Sequence, residues 1–343
     1  MAIIGAGLAG AACAYELKRA GATPVIYEAG SMIAPGASGN PTGLYNPRLS
    51  AEPSFYTEAF LMALETFGAI CHSEPKAKND NILNWKRCGA LHLVTDEKRA
   101  KRFRQAVSTW RGVDLQILSR EEASVIAGVS VGHEALWIPD SGTVSPQKLC
   151  EAYVRGIDVR LNTPIADVRE VEADAVILAC GMGVMNFPEA AHLSLRAVRG
   201  QITQVKAGAA SQKLKTCLCY GGYFSPAVDG VHVLGATFQR WLDHTQIIPE
   251  DDGDNLAKLQ AVCPELAADL VVTGHRAAVR TTTPGHLPIA GQLREGVYVS
   301  TGHGSHGILS GLFAARLIAD KLFSRGFSVS EQYVSDLSPA RHG

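Results

Sequence analysis

The sequence predicts an α/β fold whose first domain is discontinuous and is interrupted by an inserted α+β region with a mostly antiparallel sheet. Three observations predict this fold. The chain opens with the apolar residues 2–4, followed at once by glycines at positions 5, 7 and 10. A second apolar run at 173–181 ends in glycine, and a third at 296–300 leads into a glycine-rich turn and a long helix. Short apolar runs bounded by turn residues are typical of buried parallel strands.

The first of these units carries the pattern of a Rossmann-type dinucleotide-binding turn. Gly5 permits a tight turn, Gly7 allows the backbone to approach a pyrophosphate, and Gly10 lets the following helix pack closely on the strand. The anion then lies at the N-terminus of a helix predicted at 11–20. The next predicted strand, 23–27, ends in Glu28, an acidic residue placed to bind a ribose hydroxyl. NAD and FAD present the same ribose, and a glycine-rich turn without a ligand is the alternative.

The remaining elements follow in chain order. Residues 30–49 form a long loop rich in glycine and proline, and loops of this length usually bind a ligand or are disordered. The inserted region is predicted from helices at 53–67 and 96–110 and from strands at 89–94, 197–205 and 231–237. The return to the first domain is predicted from a helix at 145–155, strands at 158–161, 165–168, 173–181 and 296–300, a turn at 301–307 and a helix at 308–323. The last ~15 residues are predicted to form a loose tail.

We therefore assign two domains. The first contains residues 1–50, 141–195 and 276–335, and the second contains residues 51–140 and 196–275. At 343 residues with 46% hydrophobic residues, the chain is long enough to bury two cores.

Composition excludes several classes of protein. The net charge of −1 gives no global basic field, so any nucleic-acid site must be local. No apolar run reaches the roughly 20 residues that span a bilayer, and the chain begins directly with the first strand, so we expect a cytoplasmic protein without a cleaved signal. The eight cysteines have no zinc-site spacing, and we expect no metal. Cys217 and Cys219 are either a metal or redox pair or simply buried core.

Several motifs together resemble the D-amino-acid oxidase family of FAD enzymes over nearly the whole chain. They are the glycine turn, Glu28, the segment Ala179-Cys180-Gly181, and residues 302–308 before a helix. Residues 36–40, 198–201, 218–226, 235–237 and 279–291 are similar to the oxidoreductase domain of the bifunctional tRNA 5-methylaminomethyl-2-thiouridine biosynthesis enzymes. The resemblance implies bound FAD, an antiparallel substrate sheet over the flavin, and oxidation of a C–N bond in an amino-acid-like group.

Two features depart from these relatives. Nothing in the sequence encodes a methyltransferase half, so a separate methyltransferase is expected to act downstream. Glycine oxidases carry an arginine where this chain has Ser305, which weakens the case for free glycine as the substrate.

The resemblance implies a set of cofactor-binding residues. They are Gly5, Gly7, Leu8, Ala9, Gly10, Glu28, Ala29, Ser38, Gly39, Asn40, Gly43, Leu44, Ile165, Ala179, Cys180, Gly181, Gly302, Gly304, Ser305, His306, Gly307 and Ile308. Residues 36–44 are expected around the dimethylbenzene and ribityl parts of FAD, and Ile165 near the adenine. The turn before the last helix is expected to direct N–H groups at the flavin C2 carbonyl, where they stabilise the negative charge of the reduced ring.

The predicted catalytic residues are Arg280, Tyr223, His303, Ser305 and His306. The resemblance implies that Arg280 binds a substrate carboxylate, since a guanidinium matches that group bidentately. Arg276 is the alternative for this role, and either arginine is otherwise a structural ion pair. The two histidines either assist the flavin or only bond to backbone. Tyr223 and its neighbour Tyr220 either face the substrate or belong to the core.

The segment from Lys98 to Arg104 holds five basic residues on a predicted helix, and Lys76, Lys78, Lys86 and Arg87 are nearby in sequence. Such a cluster is either a phosphate-contacting patch or a solvated helix face. Three hypotheses follow. The protein removes the carboxymethyl group from carboxymethylaminomethyl-uridine in tRNA, it oxidises a small free amino or imino acid, or it is a flavin-binding sensor without turnover.

Overall fold

The computed structural model describes residues 1–73 and 81–342, which form two main sheets and a cavity lined by residues of both. The strands are β1 (Ala2–Ile4), β2 (Val25–Tyr27), β3 (Gly43–Tyr45), β4 (Ala90–Leu93), β5 (Gln116–Leu118), β6 (Ala135–Ile138), β7 (Gly142–Val144), β8 (Asp158–Arg160), β9 (Val176–Leu178), β10 (Arg196–Lys206), β11 (Cys217–Cys219), β12 (Tyr223–Phe224), β13 (Val231–Gly235), β14 (Val271–Thr282), β15 (Ile289–Arg294) and β16 (Val297–Thr301). The helices are α1 (Leu8–Arg19), α2 (Phe55–Ser73), α3 (Glu97–Thr109), α4 (Arg120–Ala127), α5 (Pro146–Tyr153), α6 (Pro249–Val262), α7 (Pro264–Ala267), α8 (Gly307–Leu322) and α9 (Glu331–Leu337).

The first sheet has six strands in the order β15-β16-β9-β1-β2-β8, all parallel except the antiparallel pair β15–β16. Its central strands are buried on both faces. Ile3 and Ile177 pack in the core that contains α1 and α8, whereas Ile4 and Leu178 pack in a separate core with Phe187 on the other face. Burial on both faces explains why these strands are continuously apolar in sequence.

The second sheet has eight strands in the order β14-β10-β13-β12-β11-β4-β6-β5, and only β11–β4 is a parallel pair among them. Its longest ladder joins β10 to β14, from Arg196 opposite Thr282 to Lys206 opposite Val271. The predicted fold class, a Rossmann-type first domain with an inserted, mostly antiparallel α+β region, is confirmed. The assigned boundary at residue 276 falls inside β14, so residues 276–282 lie in the eight-stranded sheet.

A buried polar network lies between β10 and α6. Arg199 is 0% exposed, and its guanidinium pairs with Asp251 of α6 and donates to Gln239 Oε1 at 2.5 Å and Gln201 Oε1 at 2.8 Å. Because an unpaired charge in a core is very unfavourable, Asp251 is required for Arg199 to remain buried.

Two predicted segments are corrected by the structure. Residues 165–168 are not a strand, because Asp167 caps a short 3-10 turn at Val168–Glu170 by accepting from the Arg169 N–H at 2.9 Å. The C-terminal tail is not loose, because it contains α9, whose Leu337 is 0% exposed, and Arg341 donates to the Leu287 carbonyl at 2.8 Å.

Some predicted elements differ only at their limits. The first predicted helix of the insertion, 53–67, extends to Ser73 in α2. The loop at 30–49 contains β3, which pairs with β7 in a separate two-stranded sheet. Among the described residues, none of the helices is both long and apolar enough to cross a bilayer.

Candidate active site

A cavity of about 1030 Å³ extends from the carboxyl ends of β1, β2 and β9 to the face of the eight-stranded sheet. Ligands of open α/β sheets bind at this end of the strands. The cavity is lined by every predicted cofactor-binding residue except Gly10 and Gly39, and by all five predicted catalytic residues.

The turn between β1 and α1 is built for close backbone approach. Gly5 has φ +107°, and a Cβ there would lie 2.7 Å from the Ala179 carbonyl oxygen of β9. Gly10 does not reach the cavity, but a Cβ at Gly10 would lie 1.9 Å from the Gly5 carbonyl oxygen. Gly10 therefore sets the close packing of α1 on β1, and the N-terminus of α1 faces the cavity as an anion site.

Glu28 lies at the end of β2 and is fixed by backbone donors. Its carboxylate accepts from the Ala6 N–H at 2.7 Å and from the Gly30 N–H at 2.8 Å. Each carboxylate oxygen has a second lone pair, so Glu28 keeps the capacity to accept from a ribose hydroxyl in the cavity. Ile165 lines the same end of the cavity.

Arg276 holds the loop that lines the middle of the cavity. Its guanidinium donates to Asn40 Oδ1 at 3.1 Å, to the Pro35 carbonyl at 3.0 Å and to the Gly36 carbonyl. A Cβ at Gly39 would lie 2.6 Å from Arg276 Nη2, so the glycine is needed where the loop crosses this side chain. Arg276 is thus occupied by protein contacts, which removes it as the alternative carboxylate ligand.

Arg280 is the arginine that remains available to a ligand. It lies four residues further along β14, lines the cavity, and donates to the Thr237 carbonyl at 3.2 Å. Burial lowers the pKa of its guanidinium. Within residues 1–73 and 81–342, no Asp or Glu pairs with it. A partly desolvated cation without an acidic partner suits an anionic ligand in this cavity.

Tyr223 faces the cavity beside Arg280, and its hydroxyl donates to the Thr42 carbonyl at 3.4 Å. Burial raises the pKa of Tyr223 well above its ordinary value, so the phenol stays protonated and acts as a hydrogen-bond donor. Tyr220 packs instead in the core of the eight-stranded sheet and does not line the cavity.

The second glycine turn precedes α8. Gly302 and Gly304 have φ of +74° and +55°, conformations that favour glycine. His303 lies between two hydroxyls, with Nε2 at 3.1 Å from Ser300 Oγ and Nδ1 at 2.9 Å from Ser310 Oγ. This arrangement holds the ring in place and occupies both ring nitrogens.

His306 precedes the first residue of α8, and its ring centroid lies 5.0 Å from that of Tyr56. Burial lowers the pKa of His303 and of His306 to about 4, with the charge of Arg48 adding to the effect on His306. Both rings are therefore neutral at pH 7. Ser305 lies in the same turn and is exposed at the cavity.

Sequence reasoning missed one group of cavity residues on the substrate side. They are Asn46, Arg48, His92, Phe103, Thr237 and Phe238. Arg99 and Arg102 were assigned to a basic surface segment, yet both line the cavity. Their spacing of three residues, which places two side chains on one helix face, was the available signal.

Cys217 and Cys219 lie in a small buried cluster with Ala90, and Cys219 also lines the cavity. In the described part of the chain no group of three or more His, Cys, Asp or Glu is arranged to hold a metal. Cys217 Sγ lies 3.9 Å from Cys88 Sγ. Lys76 and Lys78 lie outside the described residues.

The residues of the cavity fit a flavin dinucleotide. The N-terminus of α1 is suited to the pyrophosphate, Glu28 to the ribose, and the N–H groups before α8 to a carbonyl that gains negative charge. Loop 35–44, which Arg276 binds, lines the same cavity as the N-termini of α1 and α8.

Comparisons with known proteins agree with this geometry. The family model described as "DAO: FAD dependent oxidoreductase" matches residues 1–321. The chain is 32% identical, over 99% of its length, to the tRNA 5-methylaminomethyl-2-thiouridine biosynthesis bifunctional protein MnmC of Nitrosospira multiformis, and it spans 59% of that protein.

Solved structures show the same fold. Glycine oxidase from Geobacillus kaustophilus is similar with a TM-score of 0.83 and 23% identity, over 98% of both chains. L-proline dehydrogenase from P. horikoshii is similar with a TM-score of 0.84 and 16% identity, over 99% of this chain and 96% of that one. At these identities the likeness concerns the fold alone.

Proposed function

Because this chain belongs to the DAO family of FAD-dependent oxidoreductases, we propose that it oxidises the C–N bond of a secondary amine carrying a carboxymethyl group, in carboxymethylaminomethyl-uridine of tRNA. The observation that carries the proposal is Arg280, a cavity arginine with no acidic partner in the described residues. When bound, FAD would supply the two-electron oxidant for the carbon between the nitrogen and the carboxylate.

The proposed reaction is an oxidation followed by a hydrolysis. The amine R–NH–CH₂–COO⁻ loses a hydride and a proton to give the imine R–N=CH–COO⁻. Water adds to the imine carbon, the C–N bond breaks, and the products are the primary amine R–NH₂ and glyoxylate.

The residues of this chain orient the substrate. Arg280 binds the carboxylate bidentately, and the Tyr223 phenol turns its one O–H donor from the Thr42 carbonyl to the same carboxylate. With the carboxylate fixed, the adjacent carbon is held at one distance from the flavin, and such positioning contributes several kcal/mol to a barrier. His303 and His306 are neutral at pH 7, so neither repels an incoming cationic amine before that amine loses its proton.

Two observations support tRNA as the carrier of this group. The MnmC relatives are named for biosynthesis of a modified tRNA uridine. Helix α3 exposes Lys98, Lys101 and Arg104 to solvent while its Arg99 and Arg102 line the cavity, so one helix presents positive charge from the surface to the site. In this proposal a methyltransferase activity acts on the primary amine afterwards.

The test is anaerobic reduction of the holoenzyme. Oxidised-flavin absorbance is followed after mixing with tRNA that carries carboxymethylaminomethyl-uridine at the wobble position, and separately with glycine and other free amino and imino acids. Loss of absorbance with the tRNA, and release of glyoxylate in one equivalent per flavin, is the expected result.

Oxidation of a free amino or imino acid is the second candidate, because Arg280 binds the carboxylate of a small molecule equally well. Reduction by free amino acids with no response to the tRNA would establish this candidate and remove the RNA substrate. No reduction by either class would leave a flavin-binding protein without this turnover.

A further inference from the structure

A second group of arginines lines the cavity apart from Arg280. Arg99 and Arg102 lie three residues apart on α3, and Arg48 comes from the loop after β3. Lys98, Lys101 and Arg104 of α3 are exposed, whereas two of its five basic side chains, Arg99 and Arg102, line the cavity.

This group has little negative charge near it. Arg99 pairs with Asp96 at 3.5 Å, an aspartate that also caps α3. In the described part of the chain, neither Arg48 nor Arg102 pairs with a carboxylate, and Arg102 Nε is buried without a hydrogen-bond partner. A buried donor left unpaired is unfavourable, and an incoming oxyanion removes that cost.

The cavity as a whole has the same imbalance. Its lining contains four arginines and one carboxylate, Glu28, which belongs to the nucleotide end and already accepts two backbone donors. Burial together with the charges of Arg99 and Arg48 lowers the pKa of Arg102, as expected for like charges held together.

The group comes from other elements than Arg280 does. Arg99 and Arg102 lie on α3 and Arg48 on the loop after β3, whereas Arg280 lies on β14. A Cβ at Gly221, in the turn between β11 and β12, would lie 3.4 Å from Arg99 Nη2. A carboxylate that pairs bidentately with Arg280 uses both of its oxygens there, so it pairs with one of the four cavity arginines.

We propose that Arg48, Arg99 and Arg102 form a second anion site that binds a phosphate of the substrate while Arg280 binds its carboxylate. The assignment rests on the proposed function for its ligand, a nucleotide phosphate of the RNA. The distal carboxylate of a free dicarboxylic amino acid has related chemistry and is the other source to be tested.

The experiment measures binding before turnover, with holoenzyme variants Arg102→Gln and Arg48→Gln and the control Lys258→Gln, an exposed basic residue of α6 that does not line the cavity. The probe is a fluorescently labelled anticodon stem-loop RNA with an unmodified wobble uridine, titrated at several salt concentrations. We expect each cavity variant to weaken binding about 10-fold or more, and to reduce the slope of log K against log salt by about 0.7. Lys258→Gln should change affinity less than either.

A second arm compares oxidation of four substrates: the free carboxymethylaminomethyl-uridine nucleoside, its 5′-phosphate, its 3′-phosphate, and the modified tRNA. Arg102→Gln should raise KM for a phosphorylated substrate and leave KM for the nucleoside unchanged. Equal losses for nucleoside and nucleotides, or equal losses in Arg102→Gln and Lys258→Gln, would overturn the phosphate site.

The two proposals fail differently. If no uridine substrate reduces the flavin but Arg102→Gln still weakens RNA binding selectively, the proposed reaction is wrong and the anion site stands. If a free dicarboxylic amino acid is oxidised and its KM rises in Arg102→Gln, the site accepts a carboxylate and the phosphate assignment is wrong.

Discussion

Replacing Arg280 by methionine removes the proposed carboxylate ligand while keeping an apolar side chain over Phe238, whose ring centroid lies 5.9 Å from the guanidinium carbon. A guanidinium has five N–H donors, and the protein uses one of them on the Thr237 carbonyl, which leaves enough for a bidentate pair. Hydrogen bonds to charged groups contribute about 1.5–3 kcal/mol each. Loss of the pair is therefore expected to cost about 3–6 kcal/mol, or a factor of about 10²–10⁴ in kcat/KM.

The assay is anaerobic stopped-flow reduction of the flavin by modified tRNA over a range of concentrations. Arg196→Met is the matched control, since Arg196 is exposed at the start of the neighbouring strand β10. Equal rates in Arg280→Met and Arg196→Met would refute the assignment. So would an equal loss for the substrate and for its carboxamide analogue, because the role of Arg280 depends on the negative charge of the ligand.

Three further outcomes are expected. Arg276→Met releases loop 35–40 and raises the Kd for FAD about tenfold, measured by fluorescence of the released cofactor, with unfolding of the apoprotein little changed. Asp251→Ala leaves the buried Arg199 charge unpaired and lowers the free energy of unfolding by about 3–5 kcal/mol, whereas exposed Glu250→Ala changes it by less than about 0.5 kcal/mol in a denaturant titration. The folded pKa of His303, about 4, lies below its unfolded value, so its contribution is present above about pH 6.5 and is lost as the pH falls towards 4. When the pH falls from 7.5 to 5, the free energy of unfolding should therefore decrease by about 2 kcal/mol less in His303→Asn than in the wild type. Identical pH profiles of thermal unfolding in the two proteins would contradict this expectation.

The sequence predicted best the features that depend on neighbouring residues. The glycine turn at 5–10 and the strand that ends at Glu28 follow from local conformation and periodicity, which the chain carries within about 30 residues. The same holds for the turn before α8. The strand predicted at 165–168 is absent because the Asp167 side chain accepts a hydrogen bond from a backbone N–H of its own turn, which replaces pairing with a neighbouring strand.

Other features depend on contacts that no local pattern contains. Arg276 and Arg280 lie four residues apart, and no local pattern around them assigns their roles. In the structure, loop 35–40 binds Arg276, whereas Arg280 makes one hydrogen bond to the Thr237 carbonyl and lines the cavity. Arg48 lies in a loop without periodicity, so its place in the cavity depends on how that loop packs. The tail was misjudged because its composition is polar, although Leu337 is buried.

Strand β14 carries both Arg276, which binds loop 35–40, and Arg280, the proposed carboxylate ligand, four positions apart and on the same face of the strand. A displacement of this strand would shift Arg276 and Arg280 together, so we expect occupancy of one site to change the affinity of the other. By thermodynamic reciprocity the factor is the same in both directions. A bound carboxylate is then expected to tighten FAD binding and flavin-depleted protein to bind carboxylates more weakly, so incomplete cofactor loading in a preparation would present itself as weak substrate affinity.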